Sequence, residues 1–259
     1  MKIIRWNEPR FDDEDIFEVR RVLENSYVNE GSKTRELEDK LRDYLGSKHV
    51  VLTTSATAAL FLSIKADSII RGVRDFEVIV PDTTMIATAT AAEWAGGKPL
   101  IVDVDPERFT LDYKKIENKI SNRTTAIIPV HILGRASPMS EIEKIAQENN
   151  LTIIEDAAGA LGSKYKSKFL GTIGKVGCYS LQSNKIITCG QGGIIVTDDD
   201  EFYDIIKRLR DFGRVSNKEF LHEKIGYNLK FNDLSVALAL SQFRKFESRK
   251  RLLIKQHSS

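Results

Sequence analysis

A single lysine, Lys185, stands in the stretch YSLQSNKIITCGQGG, Tyr179 to Gly193, between a strand-like run carrying Ser180 and a glycine cluster. Glycines there permit tight turns and close backbone approach, so the amine is either a solvated surface charge or the nucleophile that holds a covalent cofactor. Three other segments supply chemistry that suits the second role. In TTSATAALFLSIKA a short strand-like run ends in Thr54, Ser55, Ala56 and Thr57 and opens directly into an apolar helix. Small residues at a helix start leave backbone N–H groups facing an anion, and Thr57 adds a hydroxyl. In LTIIEDAAGALGS, Asp156 ends a continuous apolar strand. The carboxyl ends of parallel strands line ligand crevices, so this carboxylate is placed to pair with a protonated ring nitrogen. Ser180, five positions before Lys185, offers its hydroxyl to the anion that Thr57 would bind. In PDTTMIATATAAEWAGG, Met85 follows a strand end, where its polarizable sulfur suits an aromatic face. Each feature has a plain structural alternative: a Ser/Thr helix cap, a strand-end carboxylate, an exposed loop lysine, a core methionine. Together they are the parts for pyridoxal phosphate, with lysine for the Schiff base, aspartate for the pyridinium, and hydroxyls and N–H groups for the phosphate.

The elements that must position these residues follow from periodicity. From about residue 50 to 210, apolar runs alternate with amphipathic segments, as in a sheet with helical crossovers. Candidate strands are FEVIVPD, KPLIVDVD, TTAIIPVHI, LTIIEDAA, VGCYSLQ and GGIIVTDD. Their apolar residues run continuously instead of alternating, which predicts a mainly parallel sheet covered on both faces. SPMSEIEKIAQENN predicts a crossover helix with Ile142, Ile145 and Ala146 as its buried stripe and Asn149 and Asn150 at its exit. The last three strand candidates are expected to follow one another through short loops. NDLSVALALSQFRKFESRKRLLIKQHSS reads as one long helix, capped by Asn232 or Asp233, with Leu234, Leu238 and Phe243 as apolar positions. Its basic run, Arg244 to Arg251, is a solvated face, without the interleaved aromatics of a nucleic-acid site.

Composition sets the class. The chain has 259 residues, 41% hydrophobic and 29% charged, with a net charge of +2, which is ordinary for a globular protein and gives no global reason for a nucleic-acid or membrane partner. No run approaches the roughly 18 apolar residues of a membrane span and the start lacks a cleavable leader, so a cytoplasmic enzyme is expected. The two cysteines, Cys178 and Cys189, have the spacing of neither a disulfide framework nor a zinc site, and no metal is expected.

In this order, NEGSKTRELEDKLRDYLG, TTSATAAL, IATATAAEWAGGKPLIVDVDPERFTLD, AIIPVHILGRASPM, IIEDAAGALGS, YSLQSNKIITCGQGGIIVTDD and GYNLKFNDLSVALALSQF resemble the DegT/DnrJ/EryC1/StrS family of pyridoxal-phosphate-dependent sugar aminotransferases. The resemblance implies the three-layer α/β/α sandwich of the aspartate-aminotransferase-like large domain, fold type I. Lys185 then looks like the Schiff-base lysine and proton carrier, and Asp156 like the partner of the pyridine nitrogen. Ala56, Thr57 and Ser180 look like the phosphate ligands, and Met85 falls where the family usually places an aromatic residue against the ring. Asn228 resembles the asparagine that reaches the neighbouring subunit's cofactor, which implies a homodimer with shared sites. The implied substrates are a nucleotide-linked sugar ketone and an amino-acid donor, glutamate. Departures are Gly159, where glutamine or histidine is common near the cofactor's phenolic oxygen, and Gln182 and Gln191, where other residues contact substrate. Family members also continue for roughly another hundred residues. Residues 1–235 are therefore expected to form the large domain, and 236–259 a helix leading to a small domain that is absent, its apolar stripe left bare. A sugar dehydratase is the nearest rival, opposed by Lys185, since such relatives typically carry histidine there. A non-catalytic protein that keeps the fold is the rival from another class.

Overall fold

A computed structural model describes residues 9–216, 219–222 and 225–257. Two helices, α1 (Asp13–Glu24) and α2 (Ser32–Leu45), precede the edge strand β1 (His49–Thr53). There follow α3 (Ala56–Ile70), β2 (Glu77–Pro81), α4 (Ala87–Trp94), β3 (Lys98–Val102), β4 (Thr124–Ile127), α5 (Met139–Glu148) and β5 (Thr152–Asp156). A small hairpin, β6 (Lys164–Tyr165) and β7 (Lys168–Phe169), leads to β8 (Val176–Ser180) and β9 (Gly193–Thr197). After α6 (Asp200–Arg210) come a second hairpin, β10 (Arg214–Ser216) and β11 (Glu219–His222), and the helices α7 (Asp233–Arg244) and α8 (Phe246–His257).

The central sheet has the order β1-β9-β8-β5-β4-β2-β3. Every pairing in it is parallel except those of β9, which runs antiparallel to both β1 and β8. All six candidate strands are present, and the sheet is mainly parallel as expected. Period-two alternation divides each strand between two cores. On one face Val51, Val78, Val80, Ile154, Cys178 and Ile195 pack with α3, α4 and α6. On the other, Val50, Leu52, Tyr179, Ile194 and Val196 pack with α2 and α7, and Ile79, Ile127 and Ile153 pack with α5. Helix α3 is apolar nearly all round and buries Ala58 through Ile64, as a helix sunk into a core must. In α5 the buried stripe is Met139, Ile142, Ile145 and Ala146, and Asn150 turns the exit with φ +53°.

Two expectations need correction. The connection from β5 to β8 is not a short loop, because it carries β6 and β7. Its following turn packs directly on β8, and a Cβ on Gly177 would overlap the backbone of Gly171. Glu155 fastens the same turn by accepting from the N–H groups of Gly171 at 2.7 Å, Ile173 at 2.6 Å and Gly174 at 2.6 Å. The C-terminal helix is likewise two helices, parted at Lys245. There the N–H of Lys245 donates to Gln242 O at 3.2 Å, three residues back, while its ammonium reaches Asp12 at 2.5 Å and Asp15 at 3.1 Å on the α1 side. Phe246 is then free to bury itself edge-on against Tyr44, with ring centroids 5.4 Å apart. The positions Leu234, Leu238 and Phe243 are half-buried, and the bare apolar residues lie further along, at Leu252, Leu253 and Ile254.

The cap choice at α7 resolves as well. Asn232 caps it, accepting from Ser235 N at 2.8 Å. Asp233 instead serves α2, whose own N-cap, Gly31, has no side chain to offer. It accepts from the N–H groups of Gly31 and Thr34 at 2.9 Å, from Lys33 N at 3.1 Å, and from the Thr34 hydroxyl at 2.7 Å. No helix among the described residues is long and apolar enough to cross a membrane.

Candidate functional site

Strand register brings the singled-out residues to one edge. Thr53 on β1 and Ser180 on β8 both pair with Gly193 on β9, so three strands end in one row. Asp156 pairs with Cys178 on β8 and is bridged to Val130 on its other side. Asp156 and Ser180 share parity with Ile154 and Cys178, which places both on the α3 face of the sheet. Glu155 and Tyr179 alternate to the opposite face and hold the turn at 170–174 from below.

The start of α3 presents its donors at this row. Ser55 is the cap, accepting from Ala58 N at 3.1 Å. The N–H groups of Ala56 and Thr57, and the Thr57 hydroxyl, have no partner among the described residues, so the helix start is left with orphan donors and the positive end of its dipole. Ser180 accepts from Gln182 N at 3.2 Å, which keeps its own proton available. Gly193 makes the cradle possible: a Cβ there would overlap the Ser55 carbonyl and lie 2.8 Å from Ala56 N.

Asp156 is buried. Its carboxylate accepts from the Thr88 hydroxyl at 2.8 Å and from Ala158 N at 3.1 Å, and no ion pair reaches it among the described residues. Burial pushes this carboxyl up from its ordinary value, while the two hydrogen bonds and the positive charge of Lys185 oppose the shift. Burial correspondingly pushes the Lys185 amine down, opposed by Asp156. Lys185 is half-buried and lines a cavity of about 1050 Å³ together with Ser180, Ala158 and Gly159. A Cβ on Gly159 would meet nothing closer than 3.6 Å, so the position has room for a side chain.

Ser180 and Lys185 line this cavity, the charge of Lys185 acts on Asp156, and Ala56 stands against Gly193 beside Ser180; Asp156, Ala56 and Thr57 are not among the residues that line the cavity. Met85 lies one turn before Thr88 at the start of α4, with its side chain 73% exposed instead of packed in the core. Asn228 is exposed and bridged to Asp211, outside the cavity that Lys185 lines. Gln182 accepts from Lys185 N at 2.9 Å, and Gln191 accepts from the Cys189 thiol at 3.2 Å. A second cavity, about 650 Å³, sits at the other end of the strands among Arg71, Thr152, Lys175 and Asp199 and shares none of these residues.

Sequence reasoning missed three contributors. Thr88 was one threonine among several in the TTMIATAT run, with nothing to single it out. Gly193 was visible only as part of a glycine cluster. His131 is fully buried, its Nε2 lies 2.8 Å from Glu155 Oε2, and its Nδ1 accepts from Ser137 N at 3.2 Å. That acceptance puts the ring proton on Nε2, donated to Glu155. The His131 N–H also donates to Asp156 O at 2.9 Å, so the pair fixes the backbone that carries the site carboxylate.

The sequence profile of the DegT/DnrJ/EryC1/StrS aminotransferase family matches residues 9–256. GDP-perosamine synthase of Escherichia coli O157:H7 is 34% identical over 255 residues, covering 97% of this chain and 69% of the relative. Among solved structures, Helicobacter pylori PseC, an aminotransferase of pseudoaminic acid biosynthesis, superposes with a TM-score of 0.89 at 29% identity, over 95% of this chain and 66% of that one. A GDP-4-keto-6-deoxymannose-3-dehydratase solved with a trapped PLP-glutamate geminal diamine matches with a TM-score of 0.87 at 26% identity, over 94% of this chain and 68% of that one. The chain spans between 64% and 69% of the length of the curated relatives it matches. A profile match over nearly every described residue, together with a relative 34% identical over 97% of the chain, shows that the chain belongs to the DegT/DnrJ/EryC1/StrS aminotransferase family.

Proposed function

We propose that the chain is the cofactor-binding part of a pyridoxal-phosphate-dependent aminotransferase that moves an amino group from glutamate to the keto group of a nucleotide-linked sugar. The observation that carries this reading is a buried carboxylate, Asp156, held by neutral donors and making no ion pair among the described residues, near a half-buried amine and an anion cradle. A buried negative charge without a cation is costly, and a protonated ring nitrogen would relieve it. The donor set fits the rest of the cofactor: orphan N–H groups and hydroxyls of Ala56, Thr57 and Ser180 for a phosphate, and Lys185 for a carbonyl carbon.

Bound pyridoxal phosphate would supply an electron sink for the carbanion formed at the substrate carbon. The chain's own groups do the remaining work. Desolvation favours neutral Lys185, which raises the fraction of amine able to attack a carbonyl and to carry a proton to and from the substrate carbon. Asp156, aligned by Thr88 and Ala158, would hold the ring nitrogen in its protonated form. Met85, left bare at the start of α4, would cover one ring face. Asn228, on an exposed stretch, would reach the phosphate bound by a second copy, which makes the working unit a homodimer.

Gly159 supports a second reading. With no side chain to donate to a phenolic oxygen, the protein would hold the cofactor without turnover. The retained lysine opposes a dehydratase. The test is direct: protein incubated with pyridoxal phosphate should turn yellow, and borohydride should fix the label on Lys185 and not on the Lys185→Ala variant. In a separate sample not treated with borohydride, glutamate should bleach the visible band as the amino form accumulates. A protein that takes up no pyridoxal phosphate refutes the enzyme reading, and colour that glutamate leaves unchanged favours the non-catalytic one.

A further inference from the structure

The loop that carries Lys185 is secured in two halves. Past the lysine, Cys189 N and the Thr188 hydroxyl both donate to Leu181 O, at 3.2 and 2.9 Å, and Leu181 N donates to Gly192 O at 2.9 Å. Around the lysine there is a tight turn, Lys185 N to Gln182 O at 2.9 Å, and then a tether from outside the loop: Arg249 Nη1, on α8, donates to Ile186 O at 3.1 Å. That carbonyl belongs to the residue directly after Lys185, one Cα step of about 3.8 Å away. Moving it moves the lysine.

Arg249 is itself held on its other side. Its Nη2 donates to Arg10 O at 3.2 Å, and Nη1 also donates to Gln242 Oε1. Gln242 is fully buried, and its amide nitrogen donates to Asp15 Oδ2 at 2.8 Å and to Arg10 O at 3.3 Å. Asp15 is 1% exposed and is paired with Lys245 at 3.1 Å. A continuous polar chain therefore runs from α1 through α7 and α8 to the backbone beside Lys185. The break at Lys245 is part of it, since Lys245 O accepts from Arg249 N at 3.1 Å in the first turn of α8.

We infer that Arg249 is a positioning residue for Lys185: its guanidinium fixes the Ile186 carbonyl and so aims the amine at the row formed by Ser180 and Asp156. The inference rests on the reading of Lys185 as the cofactor nucleophile. A guanidinium suits the task because its planar fork spends donors on several fixed acceptors at once, which an ammonium at the same place cannot reproduce. Those bonds to the Ile186 and Arg10 carbonyls and to Gln242 hold Arg249 as structural glue between helix and loop, although it also lines the cavity.

The experiment uses Arg249→Met, which keeps an apolar stem, Arg249→Lys, and Arg251→Met as a control that removes an exposed charge from the same helix. In protein without cofactor, amide hydrogen exchange in segment 182–190 should quicken about tenfold in Arg249→Met, less in Arg249→Lys, and not in Arg251→Met. In a second arm, the rate at which pyridoxal phosphate becomes borohydride-fixed on Lys185 should fall about tenfold in Arg249→Met, while affinity for pyridoxamine phosphate, which forms no bond to the lysine, should stay within about twofold. Unchanged exchange in 182–190, or acceleration spread equally over α7 and α8, overturns the inference. So does an equal loss of affinity for both cofactor forms, which would make Arg249 a ligand contact. If wild-type protein binds neither cofactor form, the functional reading fails and the exchange arm still decides the role of Arg249. If Arg249→Met does not fold, the Arg249→Lys comparison carries both arms.

Discussion

Replacing Gly193 by alanine tests the cradle where it is tightest. Gly193 opens β9 and is paired to Thr53 on one side and Ser180 on the other, so β9 has no free direction in which to slide. The new Cβ would overlap the Ser55 carbonyl and stand 2.8 Å from Ala56 N, against an ordinary carbon contact of about 3.5 Å. Ala56 N must retreat by roughly 0.7 Å and the Ser55 carbonyl, which lies closer still to the new Cβ, by more than about 1 Å, and because both obstructing groups are backbone, no rotamer change relieves the clash. The cost belongs at the upper end of overpacking, about 3 kcal/mol, which corresponds to a fall in Tm of roughly 6–10 °C for a chain of this size. The same retreat stretches N–H donation from Ala56 and Thr57 to a bound phosphate beyond hydrogen-bond range. Losing two charge-assisted bonds should weaken pyridoxamine phosphate binding by about a hundredfold. Thermal unfolding and titration with pyridoxamine phosphate read the two effects separately. Gly190→Ala is the control: φ is +88° with nothing within 4 Å, so it carries backbone strain of about 1 kcal/mol and leaves binding alone. A Gly193→Ala protein that binds pyridoxamine phosphate within about twofold of wild type, at unchanged Tm, refutes the placement of the anion at the start of α3.

Substitutions at two further positions test the support around the site. Glu38, on α2, accepts from Leu52 N at 3.1 Å, and burial pushes it up to about 7, with Arg210 pulling the other way. A raised carboxyl binds its proton more tightly in the folded state, so its contribution is full below the ordinary carboxylate value and is lost as pH rises through about 7. Glu38→Gln should therefore leave stability unchanged near pH 4 and raise it by up to roughly 3 kcal/mol near pH 8; urea midpoints at the two pH values measure this, and equal effects at both would exclude a role for the proton. Asp233→Ala removes the cap of α2 and leaves the buried Thr34 hydroxyl without its acceptor, which should cost about 3 kcal/mol in chemical unfolding, whereas Asp233→Asn, keeping one acceptor oxygen, should cost less than half of that.

Legibility from sequence followed the range of each interaction. The α5 stripe of Ile142, Ile145 and Ala146 lies within five residues and was readable from periodicity alone. The strands were readable because burial on both faces demands continuous apolar runs; the missing helical crossover between the last strand candidates marked a departure from strand-helix alternation, while the apolar runs, which read alike in either direction, did not say that β9 is the reversed strand. Asp156, Ser180 and Thr57 could be singled out because each sits where a strand ends or a helix begins, and Lys185 because a glycine cluster follows it in the loop after β8; each had a plain structural alternative, and their combination gave them a role. What supports them could not be singled out. Asp233 looks like a second cap for its own helix, yet it serves Gly31, 202 residues earlier. Gln242 reaches Asp15 across 227 residues, and Arg249 reaches Ile186 across 63. No local pattern marks an acceptor whose donors belong to another layer of the fold. Groups carried by strand ends, helix starts and glycine-flanked loops can be shortlisted one segment at a time, and acquire a role only as a set. Groups that aim them are specified by what packs behind, which only the folded chain brings within hydrogen-bonding distance.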